Sequence, residues 1–312
     1  MFSAPAFMAL ALLLEWYERK LLARAQHRVG PLMAGPAGLL QPFIDVLKLM
    51  FKEENLPEGP TYIARFAVLL YLLSSLLGLL VVPVFSPSTP FGFDKDFLVI
   101  PLSFALSALS LVAAGLAFET PFTVVGTGRL IVQYAMYESL LLVSLALPFI
   151  ERDTTTIEGI VRAQAEYPVL ATEPLGFAVA FVALLAKLEK PPFDLPHAKQ
   201  EIAAGWMTEY SGPSLAILRL GRDLEMLYGC SLIVAVFLGG GLGPLSSVPG
   251  LYFAYFLAKL AAVAFALVVA QAVAVRFREV VLAQALWERW MLLLALQALV
   301  VVLLKVARVV PT

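Results

Sequence analysis

Residues 98–118 read LVIPLSFALSALSLVAAGLAF, a stretch with no ionisable side chain. A helix needs about 20 mostly apolar residues to cross the hydrocarbon core of a bilayer, and this segment has that length. Working outward, seven more stretches read the same way: 3–24, 62–84, 130–150, 174–190, 215–239, 251–275 and 283–308. The reading is an all-α, polytopic membrane protein with about eight transmembrane helices plus interfacial amphipathic helices. The whole chain, 1–312, forms a single integral membrane domain. Composition agrees: 61% of the residues are hydrophobic and the mean hydropathy is +0.87, against roughly 45–50% apolar residues in soluble domains. No internal repeat, low-complexity tract or linker divides the chain.

Charge and rare residues narrow the function. A net charge of -1 offers no basic face for nucleic acid. Cys230 is the sole cysteine, and His27 and His197 are the only histidines. These build no iron–sulfur cluster, haem or metal site, so any electron carriers are expected on other chains. The N-terminus has no basic n-region before its apolar run, so it reads as the first span and not as a cleaved signal peptide. Basic residues gather in alternate connections: Arg19 to Lys52, Arg129, Lys187 to Arg222, and Arg276 with Arg278. The opposite connections hold Lys95, Arg152 and Arg162. The bias puts the basic loops in the cytoplasm and both termini outside, in a cytoplasmic membrane.

Two of the cytoplasmic stretches are more than connections. In 38–54, GLLQPFIDVLKLMFKEE, apolar residues from Leu39 to Phe51 recur at helical spacing. This is an amphipathic helix, at the membrane interface or docked on protein. In 190–212, KPPFDLPHAKQEIAAGWMTEYSG, prolines stop the fifth helix and a short helix is expected from Gln200 to Thr208. Apolar Phe193, Leu195, Ile202, Trp206 and Tyr210 alternate there with charges, which suggests a loop packed on protein or lining a wet cavity.

Ionisable groups inside the spans need an explanation. Glu138, in QYAMYESLLLVSLA, sits at a depth where a lone carboxylate is costly. It reads either as a proton-relay carboxylate or as a structural group paired with Arg129 or another base. Glu15, Glu18, Arg19 and Lys20 crowd the end of the first span, a pattern that interfacial pairing explains. The 187–225 region is denser still, from Lys187, Glu189 and Lys190 to Arg219, Arg222, Asp223 and Glu225. GTGRL at 126–130 follows no strand and carries no nucleotide site. No hydrolase arrangement is present.

Three motifs resemble one family: ERKLLARAQHRVGP (18–31) running into 38–54, MYES (136–139), and PPFDLPHAKQEIAAGWMTEYSGP (191–213). Together they resemble the membrane heel subunit of the complex I superfamily, the H-type subunit of bacterial complex I. Related subunits occur in energy-converting NiFe hydrogenases and a sulfane reductase. The resemblance implies a subunit without its own cofactor that joins a hydrophilic redox arm, with iron–sulfur clusters, to antiporter-like membrane subunits. It places Arg24 and Arg28, with Gly30 and Pro31, at the entrance of a quinone cavity. It sets Asp194, Glu201, Glu209 and Tyr210 in a loop facing the peripheral arm, and Tyr137 and Glu138 on a buried proton path. His197 and Lys199 stand where relatives usually carry acids, and 98–118 lacks an acid near Ala105. RFREVVLAQALWERW (276–290) looks more like the hydrogenase branch. The leading expectation is therefore a coupling subunit of a ferredoxin-driven, membrane-bound hydrogenase type of complex, with proton or sodium ion translocation and a NiFe centre on a partner. The alternative is the quinone-cavity subunit of a quinone-reducing complex I. A passive anchor and a stand-alone transporter are the remaining classes.

Overall fold

The computed structural model describes residues 3–57, 59–203, 205–244, 249–276 and 284–306. All eight apolar segments are helical there, and no strand occurs among the described residues. The long helices are α1 (Ser3–Ala25), α3 (Thr61–Leu80), α4 (Val99–Leu116), α5 (Pro121–Glu151), α7 (Pro174–Lys187), α9 (Gly212–Phe237), α10 (Pro249–Val273) and α11 (Met291–Val306). A π-helical turn, Ala285–Trp290, leads into α11. Short helices α2 (Gln41–Met50), α6 (Ile157–Ala163) and the single turn α8 (Lys199–Ile202) lie in the connections.

Five segments are long and apolar enough to cross a membrane by length and composition: Thr61–Leu80, Asp96–Leu116, Pro121–Glu151, Gly250–Val273 and Leu286–Val306. The other three differ for visible reasons. At 14 residues α7 is about 21 Å long, less than the roughly 30 Å of hydrocarbon. Helices α1 and α9 are long, but each carries a block of charges in one end.

Lipid as solvent explains the radial order. On α3, Phe66, Leu69 and Leu73 stay exposed at helical spacing, while polar Ser74, Ser103, Ser107, Lys187 and Glu225 are buried. α9 is the axis of the bundle, packed by α1, α2, α3, α6, α7 and α10. Every residue from Leu224 to Phe237 is buried, and after Glu225 this part of α9 carries no ionisable side chain except the phenol of Tyr228 and the thiol of Cys230, as suits a central helix. Its charged residues, Arg219, Arg222, Asp223 and Glu225, fall in the third and fourth turns.

α5 begins at Pro121, nine residues before the expected start. Thr120 and Thr123 cap it reciprocally and Pro121 fixes its first turn. GTGRL therefore lies on a helix. Gly126 serves packing there: a Cβ would stand 3.1 Å from the Trp206 nitrogen and 3.2 Å from Gly205 Cα. Gly205 itself has φ +67°, and a Cβ on it would meet the Pro196 carbonyl at 2.1 Å. The 190–212 segment is thus folded tightly against α5. Its expected single helix is two turns, α8 and a 3-10 turn Gly205–Glu209, separated by the left-handed Ala203. α2 packs on α1 and α9 but leaves Leu40, Ile44, Leu47 and Phe51 exposed, so the amphipathic helix is both docked and available to an interface.

Candidate functional site

α7 ends on a lysine that has no access to solvent. The Lys187 side chain is 1% exposed, and its Nζ lies 3.0 Å from Glu225 Oε1 on α9. It also donates to Ser107 Oγ on α4 at 2.5 Å and sits 5.2 Å over the Tyr134 ring. The other Glu225 oxygen accepts from the Tyr71 hydroxyl of α3 at 2.6 Å. Four helices therefore meet at one buried ion pair. A buried pair survives only when its remaining lone pairs and protons are also satisfied, and Tyr71 and Ser107 do this.

The pair opens onto a cavity of about 380 Å³ lined by α1, α3, the end of α7 and the start of α9. Five acids (Glu15, Glu18, Glu189, Asp223, Glu225) and five bases (Arg19, Lys187, Lys190, Arg219, Arg222) line it. Lys190 pairs with Glu18, which also accepts from Gln271 at 3.0 Å. Arg19 pairs with Glu15 and, at 2.8 Å, with Asp45 of α2. Asp223 faces Glu15. Glu189 pairs with His197 and lies 3.6 Å from Arg222. Spacing explains the convergence. Glu15, Glu18, Arg19 and Leu22 share one face of α1, and Arg219, Arg222, Asp223 and Met226 share one face of α9. Such a chain of alternating acids and bases can exchange partners or pass a proton.

Outside the spans, the loop carboxylates respond to this balance. Burial pushes Glu189 up, but His197, Arg222 and Lys187 outweigh it and hold the carboxyl below the usual range. Burial wins at Asp194, which is raised despite His197 and Arg276. Glu189 is thus charged in the fold, contributes stability above its ordinary pKa near 4.5, and loses it as pH falls through its lower native value. Replacing His197 with Leu removes the strongest attraction on Glu189. The acid-unfolding midpoint, followed by tryptophan fluorescence in detergent, is expected to move to higher pH. An unmoved midpoint would show that Glu189 does not depend on His197.

The structure redistributes the expected site residues. Arg129 donates to Glu201 Oε2 at 2.5 Å and does not serve as the partner of Glu138, which lies more than two turns further along α5. That exposed contact holds Glu201 below the usual carboxylate range. Glu138 is half-buried, with no hydrogen bond or ion pair among the described residues. Its neighbour Tyr137 is buried and packs edge-on against Tyr134, whose ring lies under Lys187. Tyr210 anchors the loop by donating to the Ala114 carbonyl at 2.8 Å, and Glu209 accepts from Thr120 at 2.9 Å. Both therefore tie the loop down beside α4 and α5 and do not line the cavity. Asp194 is half-buried, and its carbonyl accepts from Arg276. Arg24 and Arg28 are exposed on a turn that Lys20 folds back by donating to the Pro31 carbonyl at 2.7 Å. The Lys199 side chain lies outside the described residues. Sequence reasoning passed over Tyr71 altogether, and it named Glu18, Lys187, Glu189, Lys190, Arg222 and Glu225 without assigning them roles. The available signal was the run of ionisable residues at i, i+3 and i+4 in otherwise apolar α9.

Sequence comparison with known proteins identifies the family. The sequence model of a family described as NADH dehydrogenase matches residues 1–303. The H subunit, numbered 2, of the NADH-quinone oxidoreductase of Syntrophobacter fumaroxidans is 35% identical over 248 residues, covering 76% of this chain and 75% of that protein. The H subunit of the NADH-quinone oxidoreductase of Syntrophotalea carbinolica is 32% identical over 270 residues, covering 83% and 79%. The protein of the same name from Thermomicrobium roseum is 32% identical over 267 residues, covering 77% and 78%. With the match running nearly end to end, the chain belongs to the NADH dehydrogenase family of H-type subunits in the complex I superfamily, a family of membrane proteins.

Proposed function

We propose that this chain is the membrane subunit through which a quinone-reducing complex couples electron transfer to ion translocation. The observation that carries the reading is the Lys187–Glu225–Tyr71 network, buried among four helices and continuous with the charged cavity beside the 188–211 segment. A passive anchor has no use for ten ionisable groups around an internal space. Here a change of charge near the loop can propagate by re-pairing, provided the network has two arrangements of different energy.

The relatives' names favour quinone as acceptor over the ferredoxin-driven hydrogenase type with a NiFe centre. Of the segment that pointed to a hydrogenase, 276–290, residues 277–283 lie outside the described residues. In this reading hydrophilic subunits with iron–sulfur clusters dock on the face carrying Arg24, Arg28, Asp194 and the loop. Antiporter-like membrane subunits and lipid cover the apolar flanks. That face is cytoplasmic and both termini are outside. Tyr137 and Glu138 extend the network toward the edge of α5, and Glu201 with Arg129 closes the loop at its exposed side.

The test is Glu225→Gln in the assembled complex, reconstituted in liposomes. Quinone reduction and ion uptake are expected to fall about tenfold or more, which is roughly 1.4 kcal/mol of barrier. Reduction of ferricyanide by the peripheral arm should keep its parent rate. An assembled variant with unchanged quinone reduction and ion uptake would leave only the anchor. Hydrogen evolution from ferredoxin by the parent complex, in place of quinone reduction, would restore the hydrogenase reading.

A further inference from the structure

At the other end of α7, about 21 Å along its axis from Lys187, lies a second ionisable cluster that the charged cavity does not include. Glu173, the residue before α7, is 0% exposed. Its carboxyl lies beside that of Glu151, the last residue of α5, which is also buried. Arg152 is buried as well, with Nε 3.6 Å from Glu151 Oε1 and its guanidinium 4.2 Å over the Tyr167 ring. Thr172 donates to Glu151 Oε2 at 2.9 Å, and Gln297 of α11 donates to the Thr172 carbonyl at 3.1 Å. Near the cluster, Lys305 is paired with Asp153 at the surface.

Two facts of this geometry point to a bound proton. First, neither oxygen of Glu173 accepts a hydrogen bond from an N–H or hydroxyl among the described residues. A carboxylate in that position has lost water and gained no donor, whereas a neutral acid can donate its own O–H to Glu151. Second, the buried charges do not balance. Two carboxylates face one guanidinium, and one proton restores neutrality.

We infer that Glu151, Glu173 and Arg152 form a proton-holding site, in which the two carboxyls share one proton across the contact between α5 and the start of α7. The site is separate from the network proposed above and stands whether or not that network carries coupling. Its ligand is a proton, taken up or released at the end of the bundle opposite the charged cavity.

The electrostatics run the same way. Burial first, then the neighbouring Glu151, push the Glu173 carboxyl up to about 9, with Arg152 opposing. A raised carboxyl binds a proton in the fold that the unfolded chain has already lost. Stability therefore falls as pH rises from the ordinary value near 4.5 to about 9, and is flat beyond.

The test is infrared spectroscopy of the full chain purified in detergent, titrated from pH 7 to 10. The parent is expected to show a neutral-carboxyl C=O absorption that titrates near pH 9. Glu173→Gln should remove it. Glu151→Gln should remove it too, because one carboxylate opposite Arg152 then ionises. No loss in Glu173→Gln overturns the proposal. Retention in Glu151→Gln assigns the proton to Glu173 alone and overturns the sharing. Should either variant fail to fold, the parent's Tm decides: a Tm falling between pH 6 and 9 supports the site, and a flat profile rejects it.

Discussion

Replacing Lys187 with Met is expected to remove about 3–5 kcal/mol of stability, the cost of leaving a buried charge without its partner. Lys187 and Glu225 have side chains 1% and 3% exposed. Methionine fills most of the lysine stem, so little of the loss comes from a cavity. What remains is the Glu225 carboxylate, with the Tyr71 hydroxyl at 2.6 Å and no cation in contact. It must stay charged in a low-dielectric core or take up a proton. Ser107 loses its ammonium partner as well. The double variant Lys187→Met/Glu225→Gln tests the cause. Replacing both members of a buried pair by neutral groups is often close to neutral, so most of the lost stability should return. Thermal unfolding of the four proteins in one detergent measures the coupling directly. A double variant no more stable than Lys187→Met would mean that packing at the end of α7, and not the ion pair, sets the loss.

The helices were legible in the sequence because lipid imposes a simple rule, namely long apolar runs with internally satisfied backbone. All eight runs are helices. The start of α5 was not legible, because GTGRL looks like a loop until Gly126 is seen under the Gly205–Trp206 backbone. The 190–212 loop was read, from its alternation of Phe193, Trp206 and Tyr210 with charges, as packed on protein or lining a wet cavity, and these three side chains are buried. Pairings were harder. One of the two readings of Glu138 paired it with Arg129 or another base, whereas Arg129 pairs with Glu201. Glu225 finds Lys187, and Tyr71 finds Glu225, because three helices present particular faces to one another. Helical periodicity fixes which residues share a face and leaves the rotation between neighbouring helices open. The motif resemblance placed the family correctly. Its leading expectation, the hydrogenase type, is not supported by the relatives, which are H subunits of NADH-quinone oxidoreductases and fit the alternative better.

A substitution that adds no charge and removes none is expected to damage the same network. Gly221, buried on α9, faces the ring of Tyr71. A Cβ at this position would stand 2.7 Å from Tyr71 Cδ1 and 2.9 Å from Cε1, with Leu72 Cα at 3.6 Å behind. The first two distances are inside van der Waals contact, and Tyr71 is 1% exposed, so its ring has no free space to enter. Gly221→Ala must therefore part α3 from α9 or turn the ring. Either movement draws the hydroxyl away from Glu225. Overpacking of this kind costs about 1–3 kcal/mol, and loss of a hydrogen bond to a charged group adds a further ~1.5–3 kcal/mol. Tyr71→Phe isolates the second contribution, because it removes the hydroxyl and leaves the ring. Tyr71→Leu combined with Gly221→Ala relieves the first, and should be more stable than the sum of its single variants predicts. If the network transmits coupling, Gly221→Ala and Tyr71→Phe in the assembled complex lower quinone reduction in the same direction as Glu225→Gln, with ferricyanide reduction unchanged. A stable Gly221→Ala complex with parent activity would mean that the contact between Tyr71 and Glu225 is dispensable, and the relay would have to be drawn without α3.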